Sequence, residues 1–442
     1  MTTKQEKFGI VLFIILFSYF LILMDNSIIF TSSSQIGQGL HMNEASLSWV
    51  SNAYTITFGG FLLLMGRVGD FIGRKRIFLI GLILFGISSL AVGLSQNAAQ
   101  IIIFRAIQGI GSSIIAPSSL ALLLDHYEGN MRTRAISLYG VTAGIGSSAG
   151  LLIGGGLTSL ISWRAGFLIN VPFALFLIIL TIMKLSNSEV KKQKIDVLGA
   201  ILSVAVSSLF VYSITVSNIW LIAISLVLLV GFIFLEKSRS FALMKLELFK
   251  NRIRSGAYIA RFLFMMAMLT YWFIVPQIMQ ELYHFTALQA GMGFLPLTIV
   301  NFIAALYLPQ ITERWGNGHV MLTGQIILLI GILISAVIDP HAGYWLTIGL
   351  PMILIGWGQG WLLAPLTAAG VYDTTPELAG GASGLTNTMH QLGGPVGLSL
   401  TVFFTSSIVN IGSYYHAVMY FIVGFLTVGL VVLLITNRES EK

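Results

Sequence analysis

Two charged residues stand inside apolar stretches of the sequence, where they could carry a proton. Asp25 lies in "FLILMDNSIIF" (20–30), in which eight of the eleven residues are large and apolar, and Arg105 follows the apolar run "IIIF". Such charges are costly in hydrocarbon and are functional candidates by default. Burial favours the neutral form of a carboxyl group, whereas a nearby guanidinium favours the charged form. A change of partner or of water access would therefore let Asp25 take up a proton in one conformation and release it in another.

The elements that must position these charges are membrane helices. Of the 442 residues, 56% are hydrophobic and only 9% are charged, whereas soluble proteins carry about a quarter charged residues. The net charge of +7 comes from short basic clusters between apolar runs, so it indicates membrane topology rather than nucleic-acid binding. The absence of cysteine excludes disulfides and thiolate metal sites. We predict an all-α integral membrane protein without a metal site or a cofactor, whose first apolar run is a membrane span rather than a signal peptide.

A helix needs about 20 apolar residues to cross the bilayer, and fourteen runs of this kind can be found. Spans seven and eight are short and meet at "SNIW", so a count of thirteen is the alternative. The predicted spans are 8–31, 46–65, 77–95, 100–124, 135–159, 166–184, 197–216, 219–235, 256–281, 290–311, 319–338, 343–369, 381–408 and 414–436.

The basic residues predict the orientation of these spans. All but three of the 24 Lys and Arg residues fall in the termini and the even-numbered loops. Arg164 lies in an odd-numbered loop, and Arg105 and Arg261 lie within spans. Because Lys and Arg accumulate in cytoplasmic loops, both termini are expected in the cytoplasm. Arg261 is about six residues from the cytoplasmic end of span nine, close enough to snorkel, so a structural or lipid-facing role is expected for it.

The same topology predicts that the two membrane charges meet. Asp25 precedes the outer end of span one, near Phe30, by about 7.5 Å, and Arg105 lies about 9 Å below the outer end of span four, near Ala99. The two residues are therefore expected at similar depth in one helical bundle. A permanent ion pair that fixes helix register is the alternative to a role in proton coupling.

The chain carries an internal repeat. The stretch "RAIQGIGSSIIAP" (105–117) is echoed by "IGWGQGWLLAP" (355–365), and "GRVGDFIGRKR" (66–76) by "PQITERWGNGH" (309–319). Ala135 and Gly140 find counterparts in Ala379 and Gly384, so the offsets range from 243 to 248 residues. This pattern predicts a six-span bundle over 1–185, a linker with two inserted spans over 186–249, and a second six-span bundle over 250–442. Duplicated bundles with a substrate site between them are typical of secondary transporters.

The segment 66–76 is a glycine-rich, basic connection between spans two and three. Its glycines permit a tight, closely packed turn, its acidic residue can meet a helix N-terminus or an arginine, and its basic run can anchor at lipid headgroups. The plainer interpretation is a topogenic basic loop. The predicted gating residues are Gly66, Gly69, Asp70, Gly73, Arg74, Lys75 and Arg76.

These motifs resemble those of a known family. The segment 66–76 is similar to the cytoplasmic-loop signature of the major facilitator superfamily, and "FRAIQGIGSSIIAP" to its fourth-span motif. "LMDNSI", "WVSNAY" and "SWRAGFLINVP" resemble the fourteen-span drug:proton antiporter family, including staphylococcal-type multidrug efflux pumps. The resemblance implies alternating access, a location in the bacterial cell membrane, a proton gradient as driving force, and a cytoplasmic latch around Asp70.

Span five departs from the antiporter pattern. The stretch "GIGSSAGLLIGGGL" (144–157) has Ser147 and Leu151 where the family usually has prolines, which removes an expected helix kink. Its spaced glycines predict close helix packing. The predicted packing residues are Gly146, Gly150, Gly154 and Gly155.

Aromatic and amide side chains at mid-span depth are the candidates for substrate contact. A cavity with aromatic faces and few fixed charges suits lipophilic cations and neutral compounds. His390 is a lesser candidate, since a single His on a glycine-rich helix is expected to serve packing. The candidate residues are Asn52, Tyr54, Gln108, Tyr271, Trp272, Gln277, Asn301, Trp357, Gln359, Trp361 and Asn387.

The sequence as a whole predicts a monomeric exporter of lipophilic, often cationic, drugs that exchanges them for protons. The alternative within transport is an exporter of one defined solute, such as an amino acid, a siderophore or a lipid-like metabolite. A membrane sensor would need a sizeable soluble domain, and a lipid-modifying enzyme would need a catalytic cluster. Neither is found in the sequence, so we predict a transporter rather than an enzyme.

Overall fold

Long α-helices account for nearly all of the described chain. The computed structural model describes residues 8–186, 196–216, 218–238 and 246–437, and these ranges contain no β-strand. Helices suit the apolar sequence because they satisfy their own backbone hydrogen bonds within a bilayer. The first nine helices are α1 (Ile10–Gly39), α2 (Glu44–Ile72), α3 (Arg74–Gly93), α4 (Ala98–His126), α5 (Gly129–Leu160), α6 (Trp163–Leu168), α7 (Asn170–Lys184), α8 (Val197–Thr215) and α9 (Ile219–Ser238).

The second half repeats this arrangement. Short helical turns at Leu246–Phe249, Pro340–Ala342 and Trp345–Gly349 join its long helices. Its α-helices are α10 (Arg252–Leu282), the short α11 (Ala287–Met292), α12 (Leu295–Val337), α13 (Leu350–Gly370), α14 (Pro376–Thr405) and α15 (Ile411–Asn437).

The fourteen predicted spans can all be located on these helices. Within the described ranges, eleven helical segments are long and apolar enough to cross a membrane, and one of them, 287–337, contains two spans. The polar-rich helices α2 and α14 have 29 and 30 residues, enough to cross at 1.5 Å per residue. Helices α6 and α7 together form span six. The ends of the spans are named below by the orientation that the basic residues predict.

Helix α1 is longer than its predicted span. It continues from residue 31 to Gly39 through the polar sequence "TSSSQIGQG", which hydropathy excludes. The side chains of residues 31–34 are nevertheless buried, and three of their four hydroxyls have hydrogen-bond partners. Thr31 donates to the Ile28 carbonyl, Ser33 donates to the Phe30 carbonyl, and Ser32 bonds Thr158 of α5 at 2.7 Å. The polar segment can therefore extend the helix while leaving, of its four hydroxyls, only that of Ser34 unpaired among the described residues.

The turn between α2 and α3 depends on one glycine rather than three. Gly73 has φ 102°, in the region that favours glycine, whereas Gly66 and Gly69 lie within the helical α2. The prediction that all three form the turn was wrong for those two. Gly66 instead packs α2 near Pro117 of α4. The equivalent turn in the second half is at Gly316, with φ 76°, where α12 bends between spans ten and eleven.

Close packing at glycines shows the internal repeat directly. A Cβ at Gly109 would meet the carbonyl of Tyr54 at 2.3 Å, and one at Gly356 would meet that of Leu297 at the same distance. The same correspondence links two further glycines. A Cβ at Gly150 would meet the carbonyl of Met24, and one at Gly397 would meet that of Met266, each at 2.4 Å.

These contacts correct the predicted register of α5 against α14. Gly150 and Gly397 are 247 residues apart, not the 244 that pairs Ala135 with Ala379. With the corrected register Ala135 corresponds to Ala382, and both side chains are fully buried. Glycine spacing alone could not set the register, because α5 and α14 each carry several glycines that align in more than one way.

The inserted helices cover one of the two seams between the bundles. Helix α8 packs against both α2 and α14, and a Cβ at Gly60 of α2 would lie 2.3 Å from Val204. Thr215 at the end of α8 bonds Ser399 of α14 at 3.3 Å. Helix α9 lies outside α8 and is largely exposed. The linker segments 187–195 and 239–245 of the predicted insert lie outside the described residues.

The two bundles meet at the outer ends and middle of their helices. At the outer ends Gln35 donates to Gln280 at 2.8 Å, and the backbone N–H of Leu288 donates to Ser159 at 3.0 Å. On the cytoplasmic half of α5, an added Cβ at Gly140 or Gly144 would find no atom of the described residues within 4 Å. The seam between α5 and α12 is therefore closed on the outside and open to the cytoplasm.

Candidate functional site

Asp25 of α1 lies at the centre of a buried hydrogen-bond cluster in the first bundle. Its Oδ2 accepts from Arg105 NH1 at 2.7 Å, and its Oδ1 accepts from Gln108 Nε2 at 2.9 Å and from Asn170 Nδ2 at 2.6 Å. All three partners are donors. The cluster is therefore built for the ionised carboxylate, which can only accept hydrogen bonds.

Arg105 is held by groups from three helices. Its Nε donates to the Val50 carbonyl at 3.1 Å, and its NH1 also donates to Gln108 Oε1 at 2.7 Å. The guanidinium carbon lies 4.2 Å from the centre of the Tyr54 ring, which fits a cation–π contact. NH2 is fully buried and has no hydrogen-bond partner among the described residues. The cation is thus short of one partner in this conformation.

The cluster is closed to solvent. The side chains of Asp25 and Arg105 are both 0% exposed, and so are those of Gln108 and Asn170. Helices α1, α2, α4 and α7 supply these groups, and Ser89 of α3 accepts from Gln108 at 2.7 Å. The ion pair therefore fixes the mutual register of five helices as well as holding a titratable group.

Asp25 and Arg105 are in contact, as predicted, but Asp25 lies deeper below the outer end of its helix than predicted. Because α1 continues to Gly39, Asp25 lies about 21 Å from its outer end rather than 7.5 Å, near the middle of the helix. Arg105 lies about 10 Å from the start of α4 at Ala98. The two charges meet because the outer end of α1 extends further than that of α4.

Asn170 and Ser89 were not among the predicted site residues. Asn170 stands in the motif "SWRAGFLINVP", where a lone amide in an apolar run was the available signal. Ser89 gives no signal in the sequence, because serine is common in such helices and its hydroxyl can bond its own backbone. Only the packing of α3 on α4 selects it.

The second bundle has no equivalent of this cluster. Met24 and Met266 correspond in the repeat, so Ala267 stands where Asp25 does. Gly109 and Gly356 correspond as well, so Met352 stands where Arg105 does. Ala267 and Met352 are fully buried and apolar. The charged site therefore belongs to the first bundle alone.

The basic residues after the α2–α3 turn contact their own bundle. Arg74 NH1 donates to Asp125 Oδ1 of α4 at 2.5 Å and to the Ala121 carbonyl at 3.0 Å. Lys75 Nζ donates to the Leu185 carbonyl at 2.5 Å, after the end of α7. Arg76 is exposed, and the side chain of Asp70 lies outside the described residues. The function of this segment as a latch stays a prediction.

The four predicted packing glycines of α5 fall into two groups. Gly146, Gly150 and Gly154 pack against α1, where an added Cβ would lie within 3.1 Å of Leu23, Met24 or Ile28. Gly155 instead packs against the second bundle, 2.5 Å from the carbonyl of Ala287. Helix α5 is helical from Gly129 to Leu160 without prolines. Helix α5 therefore contacts both α1, which carries Asp25, and the second bundle at the outer ends of the helices.

The structure brings only some of the eleven candidate substrate residues together. Tyr54 and Gln108 belong to the buried Asp25 cluster rather than to a cavity. Asn52 donates to Ser399 across the α2–α14 seam at 2.9 Å. These three contact protein partners in this structure, because depth along a helix does not specify which face of the helix a residue occupies. Their contact with substrate stays a prediction.

The other eight candidates belong to the second bundle. Tyr271 is buried against Phe294, and Trp272 faces Phe30 of α1, with ring centres 6.2 Å apart. Trp361 contacts Trp357 at 5.6 Å between ring centres. The polar candidates differ in exposure, since Gln359 is buried, Gln277 and Asn301 are half-buried, and Asn387 is exposed.

Arg261 is not a lipid-facing residue. It is 5% exposed, and its NH1 donates to the Leu363 carbonyl at 2.7 Å and to Thr367 at 3.0 Å, both on α13. Its Nε donates to His390 Nδ1 of α14 at 2.9 Å. The snorkelling expected from its distance to the membrane surface was wrong, because these inward partners hold the side chain within the bundle.

Comparisons with known proteins agree with this architecture. The profile described as Major Facilitator Superfamily matches residues 15–246 and 257–442. The chain is 32% identical over 389 residues to the uncharacterized MFS-type transporter EfpA of Mycobacterium tuberculosis, covering 85% of this chain and 73% of EfpA. It is 31% identical over 421 residues to the cephamycin export protein CmcT of Amycolatopsis lactamdurans, covering 92% and 87% of the two chains.

A solved structure shows the same fold. The peptide transporter POT, an E310Q mutant in complex with alafosfalin, superposes with a TM-score of 0.74 over 97% of this chain and 94% of that one, at 13% identity. The predicted fold class and the prediction of a transporter rather than an enzyme are therefore confirmed. The chain is a multi-pass membrane transporter, and it belongs to the major facilitator superfamily, among relatives that are named for antibiotic export and antibiotic resistance.

Proposed function

We propose that this protein is a proton-coupled multidrug exporter in which Asp25 carries the proton. The observation that carries the proposal is the ion pair between Asp25 and Arg105, which is fully buried and still leaves Arg105 NH2 without a partner. A purely structural pair would be expected to satisfy all its charged donors, because each unpaired one is costly. The missing partner favours a site that has a second arrangement.

The energetics of the pair support coupling to a conformational change. Protonation of Asp25 would leave Arg105 as an uncompensated cation inside the bundle. Breaking a buried pair in this way costs about 3–5 kcal/mol. Moving a two-state equilibrium from 1:99 to 99:1 takes about 5.5 kcal/mol. One proton at Asp25 therefore supplies most, though not all, of the free energy of such a shift toward a conformation that hydrates Arg105.

The proposed cycle follows from this bias. In the outward-open state Asp25 takes up a proton from outside, and the change in the cluster weakens substrate binding. The protein then closes outside and opens to the cytoplasm, where loss of the proton restores the ion pair and the next substrate binds. The inward-open seam between α5 and α12 supports substrate entry from the cytoplasmic side or the inner leaflet.

The proposed substrates are lipophilic drugs and dyes. Trp272 and Phe30 approach each other from opposite bundles, and flat apolar compounds pack well on aromatic faces. CmcT is named for cephamycin export, which supports export as the direction of transport. We also propose a plasma-membrane location with cytoplasmic termini, and a monomer as the transporting unit.

The decisive test is ethidium accumulation in proteoliposomes with an acidic lumen. We expect Asp25→Asn to reduce pH-driven accumulation to the level of empty liposomes, because an amide cannot exchange a proton. Ethidium binding should change by only a few-fold, because the amide keeps the size of the side chain.

Asp339→Asn is the matched control for this test, since Asp339 is 72% exposed and lies in the connection after α12. Its accumulation should equal that of the wild type. Undiminished pH-driven accumulation by Asp25→Asn would exclude Asp25 as the coupling group.

A further inference from the structure

Arg261 is a buried cation deep in the second bundle that the proposed coupling mechanism does not use. Arg261 donates three hydrogen bonds, and all of its acceptors are neutral: a carbonyl, a hydroxyl and an imidazole nitrogen. Among the described residues no carboxylate lies within ion-pair distance of it. A buried charge without a counter-ion is costly in a membrane and calls for a function.

The internal repeat shows that this position does not need a cation for packing. Arg261 corresponds to Tyr19, and Leu363, whose carbonyl Arg261 binds, corresponds to Ala116. In the first bundle the Ala116 carbonyl accepts a hydrogen bond from the Tyr139 hydroxyl at 3.1 Å, and Tyr139 stacks on Tyr19 at 3.9 Å. In the first bundle the helices α1, α4 and α5 are thus held together at this position by uncharged tyrosine side chains. The charge of Arg261 must have another purpose.

Arg261 borders the space between the bundles. It precedes Trp272 by eleven residues, about three helical turns, so the two lie on the same face of α10, about 16 Å apart. Trp272 faces Phe30 of the first bundle. Arg261 NH2 has no hydrogen bond to the described residues, and it is not among the fully buried atoms that lack a partner. NH2 is therefore the part of the guanidinium that keeps some solvent-accessible surface, and Arg261 shares its face of α10 with Trp272.

We propose that Arg261 binds the carboxylate of aromatic, amphiphilic substrates, an inference that rests on the proposed export function. The free NH2 supplies a charge-assisted hydrogen bond, which is the strong kind. Because His390 Nδ1 accepts from Arg261, its proton is on Nε2, and this N–H can act as a second donor. The stacked Tyr19 and Tyr139 stand at the equivalent position of the opposite bundle, where an aromatic ring can pack. Zwitterionic drugs then bind by a contact that simple lipophilic cations do not use.

The test compares substrates that differ only in this charge. Wild-type protein and the variants Arg261→Gln and Arg261→Lys are assayed in acid-loaded proteoliposomes with a fluoroquinolone, with its methyl ester, and with ethidium. We expect Arg261→Gln to raise the KM for the fluoroquinolone by roughly tenfold or more. Transport of the ester and of ethidium should stay within about twofold. Arg261→Lys should recover part of the preference for the acid, because it keeps the charge.

Arg254→Gln is the matched control. Arg254 is also a buried arginine of α10, but its hydrogen bonds go to the carbonyls of Leu248, Tyr372 and Asp373 at the cytoplasmic end of the bundle. It should not change the ratio of acid to ester transport. An equal loss for all three substrates in Arg261→Gln, or a wild type without preference for the acid over the ester, would overturn the proposal. If the wild-type protein itself does not transport ethidium, the proposed export function is contradicted instead.

Discussion

Two arginines and one aspartate account for most of the charge inside the two bundles, and their surroundings give them different chemistry. Arg105 has a carboxylate at 2.7 Å and an aromatic ring beneath it. Arg261 has only neutral acceptors. A change of protonation can therefore act on Arg105 through Asp25, whereas Arg261 retains its attraction for an anion. The first site suits a proton, and the second suits a substrate.

The geometry of the Arg105 guanidinium can be tested separately from its charge. Lysine keeps the positive charge but cannot donate at once to Asp25, Gln108 and the Val50 carbonyl in the same fork. We expect Arg105→Lys to lower the rate of pH-driven ethidium transport by roughly tenfold or more, equivalent to about 1.4 kcal/mol for each factor of ten.

Arg164→Lys is the control for that measurement. Arg164 also binds carbonyls, those of Gly93 and Ser95, but near the outer ends of α3 and α6 and without a carboxylate partner among the described residues. It should transport at close to the wild-type rate. A normal rate for Arg105→Lys would mean that the charge alone is sufficient.

At the scale of the element, α5 departs from the antiporter pattern that the sequence resembles. It lacks the expected prolines, yet three of its glycines hold it against α1 along the segment that carries Asp25. Backbone contact of this kind transmits a shift of one helix to the other, because neither has side chains in between that could adapt. Movement of α5 at the outer seam is therefore expected to reach Asp25.

Two glycines of α5 provide a stability test of this contact. An alanine at position 150 would place Cβ 2.4 Å from the Met24 carbonyl, and overpacking of this kind costs about 1–3 kcal/mol. An alanine at position 144 meets nothing within 4 Å among the described residues and gains about 0.5–1 kcal/mol in helix propensity. We expect Gly150→Ala to lower the melting temperature in detergent and Gly144→Ala to leave it equal or higher. The opposite order would show that the α1–α5 contact does not limit stability.

At the scale of the whole molecule, the structure is asymmetric in two ways. The buried charges differ between the bundles, and α8 covers the α2–α14 seam but not the α5–α12 seam. Together these features leave a cytoplasmic opening on one side of the molecule, with the proton site in one bundle and Arg261 in the other. Alternating access then requires the outer contacts of the α5 seam to separate.

The chain has no cysteine, so this separation can be tested with introduced pairs. The amide nitrogen of Gln35 lies 2.8 Å from the amide oxygen of Gln280 across the outer seam. Because glutamine is longer than cysteine, a short bifunctional methanethiosulfonate is needed to join the two positions. We expect the double variant Gln35→Cys and Gln280→Cys to stop transport once this reagent links the two thiols, and reduction to restore it, because the link holds the outside closed.

A pair within one bundle serves as the control for the cross-link. Ser32 of α1 and Thr158 of α5 are 2.7 Å apart near the same outer surface. A disulfide between cysteines at these positions should leave transport largely unchanged if each bundle moves as a unit. If the cross-link between positions 35 and 280 forms and transport continues, separation of these outer contacts is not part of the cycle.

The sequence by itself determined the class of the protein, the number of spans, the repeat, and the partnership of Asp25 with Arg105. These follow from quantities that are local in the chain, namely apolar length, charge placement and motif order. The sequence did not determine that α1 extends to Gly39, that only Gly73 makes the turn, or that Tyr54 and Gln108 face the ion pair. Those outcomes depend on which helix face meets which neighbour.

Only the tertiary structure selected Asn170 and Ser89, and only it showed that Arg261 is buried. A hydrogen bond between helices requires two side chains to point at each other, and the spacing along either chain leaves that rotation open. The missing partner of Arg105 and the neutral partners of Arg261 likewise become visible only when every neighbour is in place. The sequence therefore specified which charges are in the membrane, and the packing of the helices decided which of them are compensated.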